Sequence, residues 1–308
     1  MINKIVAIQG NNPSKLNPIT DTSVFLAHEI QNKNYKIFYY DPKDLSIINS
    51  KVVASGFFIK FNYENKKFFK VLKKQKLELT KCKFILIRQD PPFNLEYISA
   101  TYILDTIKNK VKILNNPTSI RNISEKLYSV RYQKFMPSTI FTQNIREIKK
   151  FFKIQKKVIL KPIHGYSGND IHLLSKFNFK FINQFIKKHD HIMCQKFLPK
   201  ISKGDKRVFI INGKVCGAIS RIPKQGSFLS NMSKGAKPIN VKLTIQENRI
   251  SKLIGKDLKK ENIYFAGIDF IDQKLNGDIN VTSPTGLKTL YDLSGINLAK
   301  TFWKELNA

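Results

Sequence analysis

Hydrophobic and polar positions along the first 40 residues follow two rhythms. An apolar run lies within residues 4–8, a helix start at Asp21 and Thr22 precedes Leu26, Ala27 and Ile30, and a second apolar run covers Ile37 to Tyr40. The pattern predicts strand, loop, helix and strand over 3–40, a βαβ unit. The loop after its first strand holds Gly10 and Pro13 but no GxGxxG sequence, so a dinucleotide fingerprint is missing where that fold would carry it. A second unit follows, with a strand at Phe84 to Ile87, a helix placing Tyr97, Thr101, Leu104 and Ile107 on one face, and a short strand ending near Leu114. Asn116-Pro117 then breaks the chain, and a domain boundary is placed near 120.

Beyond that break the pattern predicts short helices at 118–133, a strand at Val158 to Leu160, a glycine-containing loop, a strand near Ile171 and a helix within 177–188. Strands near 207–211 and 214–220 flank Asn212-Gly213, a preferred type I′ hairpin turn. Pro223 to Pro238 reads as a mobile, lid-like loop. A helix at about 245–260, strands at 263–271 and 278–282, and a terminal helix near 296–306 complete the chain.

Composition narrows the partners. The chain has 308 residues and a formal charge of +32, which raises nucleic acid or an anionic membrane. Only seven of the 54 basic residues are Arg, and the Lys are dispersed among Ile, Asn and Phe rather than gathered in a block. Lysine attracts phosphate without the bidentate base readout that Arg gives, so a solvated lysine-rich surface is expected and a specific nucleic-acid partner is not. Cys82, Cys194 and Cys216 form no CxxC pair, which argues against zinc and a disulfide framework and fits a reducing compartment. No signal-peptide core or membrane-spanning run is present, so a cytoplasmic protein without a membrane partner is expected.

Asp269, Asp278 and Asn280 form the sharpest constellation. Asp278 and Asn280 are two apart on one predicted strand and share a face, with Asp269 on the strand before. Pairing through a turn at Lys274 to Gly277 would bring three hard oxygen donors together, a set suited to Mg²⁺ shared with phosphate oxygens. The same residues also suit a solvated hairpin. Lys161 ends an apolar strand ahead of Gly165-Tyr166-Ser167-Gly168, whose amides could wrap a phosphate, and Lys126 is a second candidate cation. Arg207 and Arg221 could stabilise a transferring phosphoryl group or serve as structural ion-pair partners. Arg88-Gln89-Asp90-Pro91-Pro92-Phe93 follows a buried-looking strand at the carboxyl end, where open α/β sheets bind ligands, and also suits a proline-stiffened turn. His28 and His172 have no evident acid–base partner, His189 and His191 lie in a polar helix-to-strand junction, and no GxSxG elbow or Cys/His pairing marks a covalent nucleophile.

Four segments together resemble the prokaryotic glutathione synthetase family of the ATP-grasp superfamily, over nearly the whole chain. They are RQDPPFNLEYISATYIL at 88–104, NPTSIRNISEKLYS at 116–129, VILKPIHGYSG at 158–168 with KGDKRVFIINGK at 203–214, and FAGIDFI at 265–271 with INVTSPTG at 279–286. The resemblance implies an α/β ATP-grasp fold with an N-terminal open parallel-sheet (pre-ATP-grasp) domain at 1–120. An ATP-grasp domain would follow at 121–308, with a central lid subdomain over about 121–200 and a catalytic subdomain over about 201–308. It implies ATP-dependent ligation of γ-glutamylcysteine and glycine through an acyl phosphate, giving glutathione, ADP and phosphate.

By the same resemblance, Lys126 and Lys161 contact ATP phosphates, Gly165, Tyr166, Ser167 and Gly168 cover them, and Gln195, Lys196, Phe197 and Leu198 form the adenine hinge. Arg207 and Arg221 are catalytic. Asp269, Asp278 and Asn280 hold Mg²⁺ or Mn²⁺. Arg88, Asp90, Asn231, Ser283, Pro284, Thr285 and Gly286 bind substrate, and a homo-oligomer, commonly a tetramer, is implied. The sequence departs from the family pattern at His164, Ser167, Asp278 and Gln89, at Leu229 where the family carries a loop Arg, and at Gln9-Gly10-Asn11 near the N-terminus. These departures leave open a related carboxylate–amine ligase of altered substrate and a non-catalytic nucleotide- or polyanion-binding homologue. Removing Asp278 is expected to abolish turnover and largely preserve the fold.

Overall fold

The structure is a computed structural model that describes residues 4–62 and 68–308, so Asn3 of the predicted first unit lies outside the described residues. The first sheet is built on β1 (Ile5–Gln9), β2 (Lys36–Tyr40), β6 (Phe84–Ile87) and β7 (Lys112–Leu114), all parallel, in the order β2-β1-β6-β7. Their inner positions are mostly apolar and buried because helices cover the sheet, while Lys36 and Lys112 open their strands exposed. Helix α1 (Thr22–Gln31) starts where the side chain of Asp21 accepts the Val24 N–H at 2.8 Å, and it buries Leu26, Ala27 and Ile30. Helix α2 (Leu95–Asp105) buries Tyr97, Thr101 and Leu104 as the spacing predicts, and the short α3 (Pro117–Asn122) follows β7 at the start of the predicted 118–133 helical stretch.

Beyond β2 the sheet continues with antiparallel strands that the pattern did not announce. These are β3 (Leu45–Ile48), β4 (Lys51–Phe61) and β5 (Phe69–Glu78). Among the described residues β5 pairs only with β4, and its lysines face solvent on both sides, which erases the alternation that marks a half-buried strand.

The second sheet, β10-β9-β11-β8, is antiparallel and comprises β8 (Thr139–Thr142), β9 (Val158–Pro162), β10 (His172–Leu174) and β11 (Ile192–Lys196). Helices α4 (Ile145–Gln155) and α5 (Phe179–His189) pack Ile148, Ile182 and Phe185 onto Val158, Leu160 and Cys194 of this sheet. Each helix begins at an asparagine, Asn144 or Asn178, whose side chain caps it.

The third sheet, β14-β13-β12-β15-β16, is also antiparallel. Its strands are β12 (Asp205–Ile211), β13 (Lys214–Ile222), β14 (Lys237–Asn240), β15 (Phe265–Ile271) and β16 (Lys274–Asn280). Asn212 and Gly213 make the expected hairpin turn, both at positive φ. Helix α6 (Ile245–Lys260) opens on a reciprocal capping box between Thr244 and Glu247.

Three details differ from the sequence reading. The β15–β16 turn lies at Asp272 and Gln273, and the expected turn residue Gly277 instead sits at φ +84° inside β16. The end of the expected mobile loop is strand β14, paired with β13. The expected terminal helix is α8 (Leu298–Lys304), and a helix that the pattern did not announce, α7 (Leu287–Ser294), precedes it across Gly295.

α8 packs on α1 of the first sheet. Trp303 donates its indole N–H to the Leu26 carbonyl at 2.8 Å, and Phe302 and Trp303 join Val6, Ile8 and Leu26 in one core. Burial of each of those two aromatic rings contributes about 3 kcal/mol. A second tie is polar: Asn115, just after β7, reaches β15 with its side chain.

Candidate active site

A cavity of 570 Å³ is walled by β9 and β11 on one side and by β12, β13, β15 and β16 on the other. One end is apolar and hinge-like. Gln195 is buried at the end of β11, donating its amide to Thr139 Oγ1 at 3.0 Å, and Lys196, Phe197 and Leu198 continue along the wall beside Ile159 and Ile201. The Phe197 N–H is held by the Lys157 carbonyl, which ties this edge to the start of β9.

The middle of the cavity is ionic. Lys126 donates to the Gly165 carbonyl at 2.7 Å and lies 3.2 Å from Asp278 Oδ1. Lys161, on β9, donates to Asn276 through both its backbone and side-chain oxygens and lies 3.5 Å from Asp278 Oδ2. Burial pulls the Lys161 ammonium below its usual pKa, with Asp278 opposing. Burial works the other way on Asp278, but Lys126 and Lys161 override it and hold the carboxyl below the ordinary range. Gly165, Tyr166, Ser167 and Gly168 form the adjoining rim. Gly168 is at φ +74°, and a Cβ there would meet the side-chain oxygen of Asn231 at 2.4 Å. The glycine loop and the 226–236 loop therefore touch at this point, and Lys234 also donates to Asn169 at 2.8 Å.

Opposite the lysines, strand register assembles a buried arginine–carboxylate network. On β12, Asp205 stands across from Arg221 of β13, and Arg207 stands across from Asp269 of β15. Arg207 grips Asp269 with two bonds, at 2.9 and 2.7 Å. Arg221 is bidentate to Asp205 and also donates to Asp269 at 2.9 Å. Burial favours the neutral form of Asp269, and the two guanidiniums outweigh it, so this carboxyl stays ionised far into acid. Asp205, reached by one arginine only, is pushed upward by burial.

The donor set fits a hard cation. Asn280 Oδ1 is buried without a hydrogen-bond partner, one strand position pair beyond Asp278, and Asp269 faces the same cavity from β15. All three groups present oxygen, as Mg²⁺ requires, while no cluster of three His, Cys, Asp or Glu suited to a metal occurs among the described residues.

The third region of the cavity reaches the first sheet. Asp90, Ser283, Thr285 and Gly286 line it, as does Asn231. Asp90 and Asn11 bond each other twice, through side chain and backbone. The Gly286 N–H is held by Thr22 Oγ1 at 3.1 Å. Arg88 and Pro284 lie behind the wall: the buried guanidinium donates to Ser23 Oγ at 3.0 Å and to the Pro284 carbonyl at 2.9 Å. Leu229 also faces the cavity.

Sequence reasoning missed Asp205, Asn276 and Glu125. Asp205 was legible as the i,i+2 partner of Arg207 on a strand. Glu125 stands next to Lys126 and accepts from Thr282 Oγ1 at 2.8 Å, a contact across 157 positions that no local pattern announces. Burial raises its carboxyl, against the pull of Lys126.

Comparison with known proteins places these residues in context. The family model for the N-terminal domain of prokaryotic glutathione synthetase matches residues 5–121, and that for the ATP-grasp domain of the same enzymes matches residues 125–295. A glutathione synthetase of Agrobacterium fabrum is 32% identical, covering 97% of this chain and 95% of its own. One of Brucella melitensis is 33% identical, covering 98% of each chain. Among solved structures, D-alanyl-alanine synthetase A of Vibrio cholerae superposes with a TM-score of 0.62 at 14% identity, over 100% of both chains. The D-cycloserine synthetase DcsG superposes with a TM-score of 0.66 at 9% identity, over 98% of this chain and 99% of that one. These likenesses identify the ATP-grasp fold.

Proposed function

The chain belongs to the prokaryotic glutathione synthetase family, and from that premise we propose how its residues divide the work of an ATP-dependent ligase that makes glutathione. ATP, γ-glutamylcysteine and glycine are its substrates. The cysteine carboxylate of γ-glutamylcysteine attacks the γ-phosphorus of ATP, ADP leaves, and the resulting acyl phosphate is attacked by the glycine amine. Phosphate then leaves and the amine gives up a proton.

The observation that carries the division is Asp278 held between Lys126 and Lys161, on the strand next to the one that brings Asp269 into the Arg207–Asp269–Arg221 network. Gln195, Lys196, Phe197 and Leu198 take the adenine. Lys126 and Lys161 exchange Asp278 for phosphate oxygens, and Gly165 to Gly168 close over them. Arg207 and Arg221 face the oxygens of the transferring group and the charge that builds on them. Asp269, Asp278 and Asn280 would hold Mg²⁺ or Mn²⁺, which when bound neutralises charge on the polyphosphate. Asp90, Asn231, Ser283, Thr285 and Gly286 orient the peptide and amine, and Arg88 sets the 283–286 segment through Pro284. The contact between the glycine loop and the 226–236 loop keeps water from the acyl phosphate.

The working assembly divides at residue 120 into a pre-ATP-grasp part (1–120) and an ATP-grasp part (121–308), and a homotetramer in the cytoplasm completes the proposal. Among the described residues no helix is long and apolar enough to cross a membrane.

The test is ADP release by the purified protein with Mg²⁺, ATP and γ-glutamylcysteine, with and without glycine, coupled to mass detection of the product. Glutathione formed in step with ADP supports the reading. ATP binding without glutathione would sink it, and a product with a different acceptor would point to a ligase whose acceptor pocket is altered at Leu229.

A further inference from the structure

We infer that Glu125 is a positioning residue that holds Asn280 and the segment after it in place while Lys126 changes partners. The inference rests on the proposed metal–nucleotide site and adds a residue to it. Glu125 grips the end of β16 and the segment beyond it from both sides of Asn280. Its backbone carbonyl accepts the Ile279 N–H at 3.0 Å. Its side-chain Oε1 accepts the Val281 N–H at 3.2 Å, the Thr282 N–H at 3.3 Å and the Thr282 hydroxyl at 2.8 Å. The two residues flanking Asn280 are thus both hydrogen-bonded to Glu125, while Asn280 keeps an unpartnered buried oxygen.

The neighbouring residue extends the grip. Lys126 reaches Asp278, so the dipeptide Glu125-Lys126 contacts 278, 279, 281 and 282 in succession. The two contacts differ in what nucleotide binding does to them. Lys126 is an ion pair to a carboxylate, and an arriving phosphate competes for it directly. Three of the four Glu125 bonds come from backbone N–H groups and the fourth from the Thr282 hydroxyl, and these neutral donors are not what phosphate competes for. When Lys126 lets go of Asp278, Glu125 keeps the strand end from moving with it. Ser283 to Gly286, which begin one residue past Thr282, inherit the same anchor.

Replacing a residue that fixes the chain on both sides of a proposed metal ligand weakens metal binding without touching the metal. The measurement is calorimetric titration of ADP into the full-length protein over a series of Mg²⁺ concentrations, beside titration in excess chelator. For Glu125→Ala, the Mg²⁺ concentration at half-maximal enhancement of ADP affinity rises by about tenfold, while ADP affinity in chelator stays within about twofold of wild type. Glu125→Gln keeps an acceptor oxygen at the same place and restores most of the loss. An unchanged Mg²⁺ requirement in Glu125→Ala overturns the inference. So does an equal loss in Glu125→Gln, because the negative charge beside Lys126 would then be what matters. Should Glu125→Ala fail to fold, Thr282→Val removes one bond to Oε1 and is expected to shift the requirement by about threefold, and no shift overturns the inference. If the wild type binds ADP with no response to Mg²⁺, the metal site itself fails, a result separable from any of the variant outcomes, and the inference falls with it.

Discussion

Asn115 pairs with Phe265 as one strand pairs with another: its side-chain oxygen accepts the Phe265 N–H at 2.8 Å, and its amide donates to the Phe265 carbonyl at 2.7 Å. The same amide also takes the Tyr264 N–H and the Val281 carbonyl, so all of its polar capacity is spent on joining β7 to the third sheet. Removing it leaves buried backbone groups short of a partner. Asn115→Ala is expected to lower unfolding free energy by about 3 kcal/mol. Urea midpoints at unchanged slope would measure this, and a loss under about 1 kcal/mol would mean the tie is redundant.

Asp278→Ala is expected to reduce turnover by about a thousandfold. The structure revises the companion expectation that the fold is left largely intact. Asp278 neutralises two buried ammonium groups, so its loss sets Lys126 and Lys161 against each other with no carboxylate between. Stability should fall by about 3 kcal/mol as well. Single-turnover assays and thermal melts on the same preparation separate the two effects, and a variant with wild-type turnover removes Asp278 from the site.

Acid should unfold the protein through its paired carboxylates. In the fold, Asp269 and Asp278 have pKa values below the ordinary carboxylate value of about 4. Groups depressed in this way bind fewer protons folded than unfolded. Their contribution is complete above the unfolded value and is lost as pH falls from there through the folded values. Asp205 runs the opposite way and offsets part of it. Urea midpoints between pH 7 and 2 should hold level to about pH 4 and then drop. Asp269→Asn should flatten that drop, and an unaltered profile in the variant would refute the assignment.

Lys234→Ala cuts the 2.8 Å bond to Asn169 that bridges the two loops over the cavity. One exposed hydrogen bond is worth about 1 kcal/mol, so the loops should part several-fold more often. Water then intercepts the acyl phosphate, and ADP released per glutathione formed should rise above one. A ratio still at one would show that the loops shield the intermediate without this contact.

Much of the first sheet was legible because local and tertiary preferences agree there. Asp21 caps α1, and the runs at β1, β2 and β6 are apolar for the plain reason that both faces are covered. The turn expected at Lys274 to Gly277 was misplaced, although that stretch ends in Asn276-Gly277, a dipeptide favoured in hairpin turns. Here Gly277 provides an irregularity in β16, where a Cβ would strike Met193 Cε at 2.4 Å, and the turn falls to Asp272 and Gln273, which adopt positive φ without being glycine. The lining of the candidate cavity was readable where motif residues face it, as at Lys161, Asp269 and Asn280. Glu125 and Asn115 were not readable, since their partners lie 149 or more positions away and only the packed sheets bring them together.

The seating of α8 on α1 carries a consequence for synthesis. Trp303 fills the core beside Val6 and bonds a carbonyl 277 positions earlier, so the βαβ unit at 5–40 lacks part of its interior until Trp303 itself has been made and has left the ribosome. Throughout elongation the apolar face of α1 has to be sheltered by something other than its native partner, and nascent chains halted before residue 298 should engage chaperones at that face.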